Sequence, residues 1–431
     1  MYWNERIETL SSGEMIDLQS AALRKTIRYT YDRVPFYRQR IDSLHINPDE
    51  INTLDDIVRL PFTVKADLRD QYPYGLCAVP LSDIQRLHAS SGTTGQPTPV
   101  FNTRIDLDNW SGCMARNLYM AGVRKEDICQ IAFKYTLFTG AFGHHLGADT
   151  IGAMVIPASS GQTERQVLMM RDFKTTVLHC TPSYAITITE KMDQMGISRE
   201  DLCLRVGVHG AEPMSDSLRS EIEEKLGTLA LGDYGLTELG GPGVSIECPA
   251  KAGYHINEDY FFPEVVNPET LEPVPEGETG ELVLTTLKKH AMPLIRYRTR
   301  DITRLHRGPC ACGRTLIRHA PILGRTDDML IFGGVNVFPS QLESLLLEFE
   351  EASSHYLIRL TTEHRRDRIT VEIEPVPGFS ISGNPDQNAA LIGKMTARIK
   401  DLIGITIGIK LVEPNTIPRS EGKAKRVVDE R

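Results

Sequence analysis

Apolar residues first recur at helical spacing between Glu14 and Arg33, where Ile16, Leu23, Ile27 and Tyr31 fall near one face and Pro35 then stops the run. Residues 47–74 alternate short helical pieces with prolines and read as packing shell, and 106–120 carries another helical pattern. Beyond it the texture changes. Segments 128–133, 154–156, 176–179 and 205–208 are short buried-type strands, separated by helical patterns at 163–172, 184–195 and 215–226. Strands alternating with helices predict a parallel sheet with helices on its faces, and such sheets bind ligands beyond the carboxyl ends of their strands. Two glycine-bearing turns lie just after such ends, at His209–Pro213 and Tyr234–Glu238.

From about residue 243 to 305 the pattern is β-like, with strands at 264–266, 280–286 and 293–297 and the turn-rich PETLEPVPEGETG as a connector. A glycine-marked boundary follows near Gly324-Arg325-Thr326-Asp327-Asp328. The remaining stretch of about a hundred residues is of domain size. It predicts a helix from Pro339 that shows Leu342, Leu345, Leu346 and Phe349 on one face, strands at 356–360 and 369–373, a helix at 387–403 and a strand at 407–411. The expected fold is α/β: a large N-terminal domain over residues 1–326 with parallel sheets and a β-rich part, then a small mobile α/β domain over 327–431. The closing Pro418-Arg419-Ser420-Glu421-Gly422-Lys423 predicts an exposed loop carrying Lys423.

Composition narrows the class. A hydrophobic fraction of 41% and a charged fraction of 24% are those of an ordinary soluble globular protein. A net charge of −9 argues against a nucleic-acid scaffold. The charged first thirty residues leave no signal-peptide core, and no run of eighteen apolar residues predicts a membrane span. Eight cysteines, five of them scattered singly, read as reduced thiols of a cytoplasmic protein.

The densest chemistry lies at His88–Val100, where Ser90, Ser91, Gly92, Thr93, Thr94 and Gly95 gather hydroxyls and close-approach glycines into six residues. Successive backbone N–H groups there suit an anion cradle, although the string does not match the Walker pattern and, taken alone, equally describes a flexible loop. With GAEP at Gly210–Pro213, YGLTE at Tyr234–Glu238, YRTRD at Tyr297–Asp301, GRTDD at Gly324–Asp328 and SEGKAKR near the end, it forms an ordered set. The set resembles the adenylate-forming superfamily. VPFYRQR near the N-terminus, ECP at Glu247–Pro249, HINED at His255–Asp259 and CACGR at Cys310–Arg314 resemble its phenylacetate–coenzyme A ligases in particular.

The resemblance implies roles for individual residues. Ser90–Gly95 would hold the β- and γ-phosphates of ATP, and Gly210, Ala211, Glu212 and Pro213 would pass over the adenine. Tyr234, within Asp233-Tyr234-Gly235 and before Thr237, would stack on the base; Asp301 would accept from the ribose hydroxyls. Gly235 would border both nucleotide and acid, and Arg325 would approach the ribose or phosphate. Glu238 would help to hold magnesium, a hard cation suited to carboxylate and phosphate oxygens. Lys423 would be the catalytic lysine, its ammonium offsetting charge as the carboxylate attacks the α-phosphate. Asp327 would be a hinge, and Gly333, Gly334 and Val335 would border the path of coenzyme A in a second half-reaction that follows movement of the small domain. Two departures stand out: Gln96 where the loop commonly carries lysine, and Met214 where an aromatic often follows GAEP.

Cys248, His255, Cys310 and Cys312 supply three thiols and an imidazole, a known closed set for structural zinc; the competing reading is four unrelated residues. In FKYTLFTGAFGHH, the aromatics Phe133, Tyr135, Phe138 and Phe142 read either as the wall of an aryl-acid pocket or as ordinary core. The function that follows is ATP-dependent ligation of an aryl acid, phenylacetate or similar, to coenzyme A through an acyl-adenylate. Two rivals are delivery to a carrier-protein thiol and a catalytically idle nucleotide-binding regulator. Neither nucleic acid nor membrane is an expected partner, and the resemblance implies a homodimer.

Overall fold

The computed structural model describes the whole chain except residues 91–96, 333–334, 364–365, 377, 380, 382, 384 and 421–423, and the side chains at 331, 335, 336, 363, 366 and 367. The first long helix runs Ser12–Arg33 and is capped by Ser11, whose hydroxyl and backbone exchange hydrogen bonds with Glu14. Leu23 and Ile27 are fully buried along it, while Ile16 is exposed. Pro35 ends this helix but starts another, Pro35–Ser43, because a proline needs no N–H donor in a first turn.

Among the described residues a nine-stranded sheet forms the centre. Its order is Leu305–His306, Arg318–His319, Tyr254–Ile256, Gly241–Glu247, Leu229–Leu236, Val206–Gly210, Val177–Cys180, Ile128–Ile131, Met154–Ile156. The last five are mutually parallel and the others antiparallel. The predicted strands here sit within two or three residues of the observed ones, but Leu229–Leu236 is additional, and Tyr234–Leu236 belongs to it rather than to a turn beyond it.

Glycines hid both that strand and the helix Gly140–Ile151, since glycine weakens either pattern. Packing explains them. A Cβ on Gly232 would lie 2.1 Å from the Tyr254 hydroxyl, and one on Gly143 would lie 2.5 Å from the Pro242 ring. A Cβ on Gly147 would lie 2.7 Å from Met114, so the missing side chains let this helix close on the helix Arg104–Met120.

The β-rich part is a four-stranded antiparallel sheet ordered Phe261–Val266, Gly280–Thr286, Tyr297–Thr303, Gly324–Arg325. The strand expected at 293–297 begins instead where that segment ends, at Tyr297, and runs to Thr303 through a bulge at Arg300, whose φ is 69°. Past it, the helix Pro339–Leu346 buries Leu342, Leu345 and Leu346 against a sheet ordered Gly408–Leu411, Arg366–Pro375, Ala352–Glu363, Val427–Asp429. The final strand, absent from the sequence reading, pairs in parallel with Ile358–Leu360. No helix among the described residues is long and apolar enough to cross a membrane.

Candidate active site

The parallel strands Val206–Gly210 and Leu229–Leu236 deliver two motif segments to one edge of the central sheet. After the first, Ala211 turns the chain with a φ of 69°, and Gly210 is obligatory because a Cβ would stand 2.8 Å from the Asp233 carbonyl oxygen. After the second, a turn of 3-10 helix, Thr237–Leu239, returns Glu238 to a buried position. The Glu238 carboxylate accepts from the Ser90 hydroxyl at 2.9 Å, and the Lys65 ammonium lies 3.3 Å from the same oxygen. Lys65 opens a short helix within the stretch read as packing shell, and only the fold reveals its place here.

Four residues before Glu238, the Tyr234 hydroxyl donates to Asp301 at 2.6 Å, and Arg325 donates to the other oxygen of Asp301 at 3.0 Å. Antiparallel pairing of Asp301 with Arg325 sets that contact. Burial, aided by the Asp301 charge, pushes the Tyr234 phenol well above its ordinary value and keeps it a neutral donor. Arg325 also grips Asp327 at 2.9 and 3.0 Å. Asp233 faces the other way, into the core, where Asn117 donates to it at 3.2 Å and His144 Nε2 lies 3.6 Å away. Burial raises its carboxyl to about 8.

Glu212 accepts from the Ser183 hydroxyl at 2.7 Å and from the backbone N–H of Ala424, so the chain leaving residues 421–423 is tied to the 210–213 turn. Ser91, Gly92, Thr93, Thr94, Gly95, Gln96, Gly333, Gly334 and Lys423 lie outside the described residues. Met214 is buried in a core cluster with Tyr184 and Leu218.

Of the aromatic stretch, Tyr135 and Phe142 meet edge to face at 5.3 Å, and Tyr135 bonds His145 at 3.0 Å. Phe138 is 47% exposed, and Phe133 stacks on buried His144. Two residues outside the predicted set join this aromatic cluster: His88, 5.3 Å from Phe142, and Trp110, edge-on to His88 at 5.6 Å. Trp110 also lines a small, partly open pocket with Leu239, Gly240–Gly243 and Lys289, next along the chain from Glu238. Thr139 and Thr237 bridge the aromatic stretch to the YGLTE segment at 3.3 Å.

Cys248, His255, Cys310 and Cys312 come together, with their four ligand atoms all within 4.8 Å of one another. Cys248 and Cys310 sulfurs are 3.6 Å apart, and Cys312 Sγ is 3.5 Å from His255 Nε2. Tetrahedral zinc with bonds of about 2.3 Å to sulfur and about 2.0 Å to nitrogen has edges of roughly 3.5–3.8 Å, so the set fits it. The hydrogen bond between Cys312 and Cys248 lowers the Cys312 thiol and raises that of Cys248, so the two sulfurs share one proton. The buried salt bridge between Glu8 and Arg314, at 2.5 Å, pins the N-terminal segment against this knuckle.

Known proteins place this architecture. Residues 57–288 match the model of the AMP-binding enzymes, and 334–431 match that of the AMP-binding enzyme C-terminal domain. The chain is similar to a phenylacetate–coenzyme A ligase of Thermus thermophilus, 45% identical over 442 residues, covering 100% of this chain and 99% of that one. Another from Escherichia coli strain K12 is 45% identical over 425 residues, covering 98% and 96%.

Among solved structures, a 2-hydroxyisobutyryl-CoA ligase in the postadenylation state with 2-HIB-AMP superposes with a TM-score of 0.94 at 27% identity, covering 100% of this chain and 92% of that one. The same ligase in the thioesterification state gives 0.74 at 28% identity, with the same coverage. Fold and site thus define an adenylate-forming, AMP-binding enzyme. Within that class the chain belongs to the phenylacetate–coenzyme A ligase family. It is an ATP-dependent, AMP-forming acid–coenzyme A ligase working through an acyl-adenylate.

Proposed function

We propose that the acid is an aryl acid of the phenylacetate type. Supporting this is the Tyr135–Phe142–His88–Trp110 wall beside Thr237 and Glu238, which offers aromatic faces and edges to a ring whose carboxylate points at the nucleotide. The names of the 45%-identical relatives point the same way.

In this reading Asp301 takes the ribose hydroxyls, Tyr234 and the 210–213 turn bracket the adenine, and Ser90–Gly95 cradles the phosphates. The substrate carboxylate is already ionised and needs no general base. Its oxygen forms a bond to the α-phosphorus, and the bond to the bridging oxygen breaks, releasing pyrophosphate. Lys423 offsets the charge where the two anions meet. The sulfur of coenzyme A then attacks the acyl carbon, its proton passes to solvent, and AMP departs with the electron pair of the acyl–phosphate bond.

The hard oxygens of Glu238 and Ser90 suit magnesium, which would have to share the Glu238 carboxylate with Lys65. Bound there with ATP, the ion would neutralise phosphate charge. The domain divide falls between Thr326 and Asp327, so that Asp327 serves as the hinge, and the Cys248–His255–Cys310–Cys312 cluster holds structural zinc. A panel of phenylacetate, indoleacetate, hydroxylated phenylacetates and benzoate, assayed for pyrophosphate release with ATP, magnesium and coenzyme A, tests the substrate class. Turnover confined to aliphatic acids would refute it.

A further inference from the structure

Glu190 lies on the helix Pro182–Met195, yet every partner it has among the described residues comes from the C-terminal unit. The His355 ring donates from Nε2 to one carboxylate oxygen at 2.6 Å, and Arg419 Nε reaches the other at 3.3 Å. Arg419 is held from behind by Glu374, at 3.0 and 2.8 Å, a pair made wholly within the C-terminal unit. Lys423 is the fourth residue after Arg419, and Ala424, just after it, is tied to Glu212. The chain entering and leaving residues 421–423 is therefore held on both sides by carboxylates of the large domain, Glu190 and Glu212.

The chemistry of the contact is that of a reversible latch. His355 sits at the interface with its side chain only 10% accessible and Glu190 with 31%, so water competes weakly with their bond. Burial opposes ionisation of Glu190, but His355 and Arg419 hold its carboxyl below the ordinary value. If the small unit turns away, Arg419 keeps Glu374 and His355 returns to water, while Glu190, already 31% accessible, exchanges both partners for water. The arrangement so held is the one that superposes on the relative's postadenylation state.

We propose that Glu190 and His355 are positioning residues that latch the C-terminal unit in its adenylate-forming arrangement and must part before coenzyme A attacks. The proposal rests on the reading of Lys423 as the lysine of the first half-reaction. It sets the balance between two arrangements rather than the chemistry of either, since a contact present in one arrangement alone shifts only the population.

The test uses the full-length variants Glu190→Gln and His355→Gln, the double variant, and Lys423→Ala. Each is assayed for acid-dependent ATP–pyrophosphate exchange and, separately, for thioester formation from supplied acyl-adenylate and coenzyme A. Each single variant is expected to lower the exchange kcat about fivefold with little change in KM for ATP, the double no further than Glu190→Gln, which already weakens the contacts with both His355 and Arg419, and thioester formation undiminished. Parallel loss in both half-reactions marks a merely structural contact and overturns the latch; so does no change in either. Lys423→Ala separates the two levels: if that variant retains full exchange, the reading of Lys423 fails, and the latch fails with it. If exchange is abolished while the glutamine variants match wild type, the latch alone fails.

Discussion

Replacing Asp233 by asparagine is expected to stabilise the protein at neutral pH and not at acid pH. Asp233 is buried, with Asn117 donating to one oxygen and His144 Nε2 facing the other. Burial raises its carboxyl from 3.8 to about 8, and burial likewise lowers His144 to about 3, so both groups are neutral at pH 7. Between pH 3.8 and 8 the folded protein therefore holds a proton at this site that the unfolded chain has lost, and stability falls as pH rises across that window.

At 1.36 kcal/mol per unit, holding the carboxyl neutral at pH 7 costs about 4 kcal/mol, shrinking by roughly 3 kcal/mol at pH 5. Asparagine reproduces the neutral pattern, accepting from Asn117 and donating toward His144, without that cost. Guanidinium denaturation of both proteins at pH 5, 6, 7 and 8, followed by circular dichroism, reads the difference, in which every other titrating group cancels. The Asp233→Asn variant should gain on wild type by roughly 3 kcal/mol between pH 5 and 7. A difference flat with pH refutes the neutral pair. So does a loss of about 3–5 kcal/mol at pH 7, which would mark an ion pair with protonated His144.

Lys65→Ala removes the ammonium beside Glu238. It should lower ATP–pyrophosphate exchange roughly tenfold while leaving the melting temperature nearly unchanged, and an equal loss in thioester formation would refute a part confined to adenylation. Gly241→Ala puts a side chain at a φ of 119°, with its Cβ 2.5 Å from Thr139 and 2.9 Å from Trp110. It should raise KM for the acid more than KM for ATP and cost about 1–3 kcal/mol of stability; a selective rise for ATP would mean that Trp110 does not border the acid. Purified protein should carry about one zinc per chain by elemental analysis, and Cys312→Ser or prolonged chelation should lower its melting temperature. Zinc-free protein with the same melting curve in chelator would refute the metal site.

The parallel sheet and the family's motifs were legible because they depend on local signals: apolar runs bounded by turns, and short strings whose order along the chain carries meaning. Where the sequence reading went astray, a distant contact decided the outcome. Leu229–Leu236 is a strand despite two glycines and an aspartate because Gly232 makes room for Tyr254, and Gly235 for the Gly241 carbonyl 2.1 Å from where its Cβ would be. Helix Gly140–Ile151 holds together through close packing on Met114 and Pro242, which no local propensity records. The four zinc-type ligands were found from residue chemistry alone. Lys65, Trp110 and His88 could not be found that way, since each is an ordinary residue until folding brings Lys65 to Glu238, His88 to Phe142 and Trp110 to His88.

Strand alternation explains how one short segment serves both core and site. Along Leu229–Leu236, successive side chains point to opposite faces, so Asp233 enters the core toward Asn117 and His144 while Tyr234 reaches Asp301. Glu238 then returns through the 3-10 turn to meet Ser90 and Lys65. Both carboxylates are thus paired, Asp301 with Tyr234 and Arg325, Glu238 with Ser90 and Lys65. Neither waits as a bare buried charge, which would be far more costly than a pair. Nucleotide binding in the proposed manner is consequently an exchange of partners at Asp301, in which ribose hydroxyls replace the Tyr234 phenol and free its ring to meet the base. The partner lost at one end of the segment is what releases the aromatic surface needed at that same end.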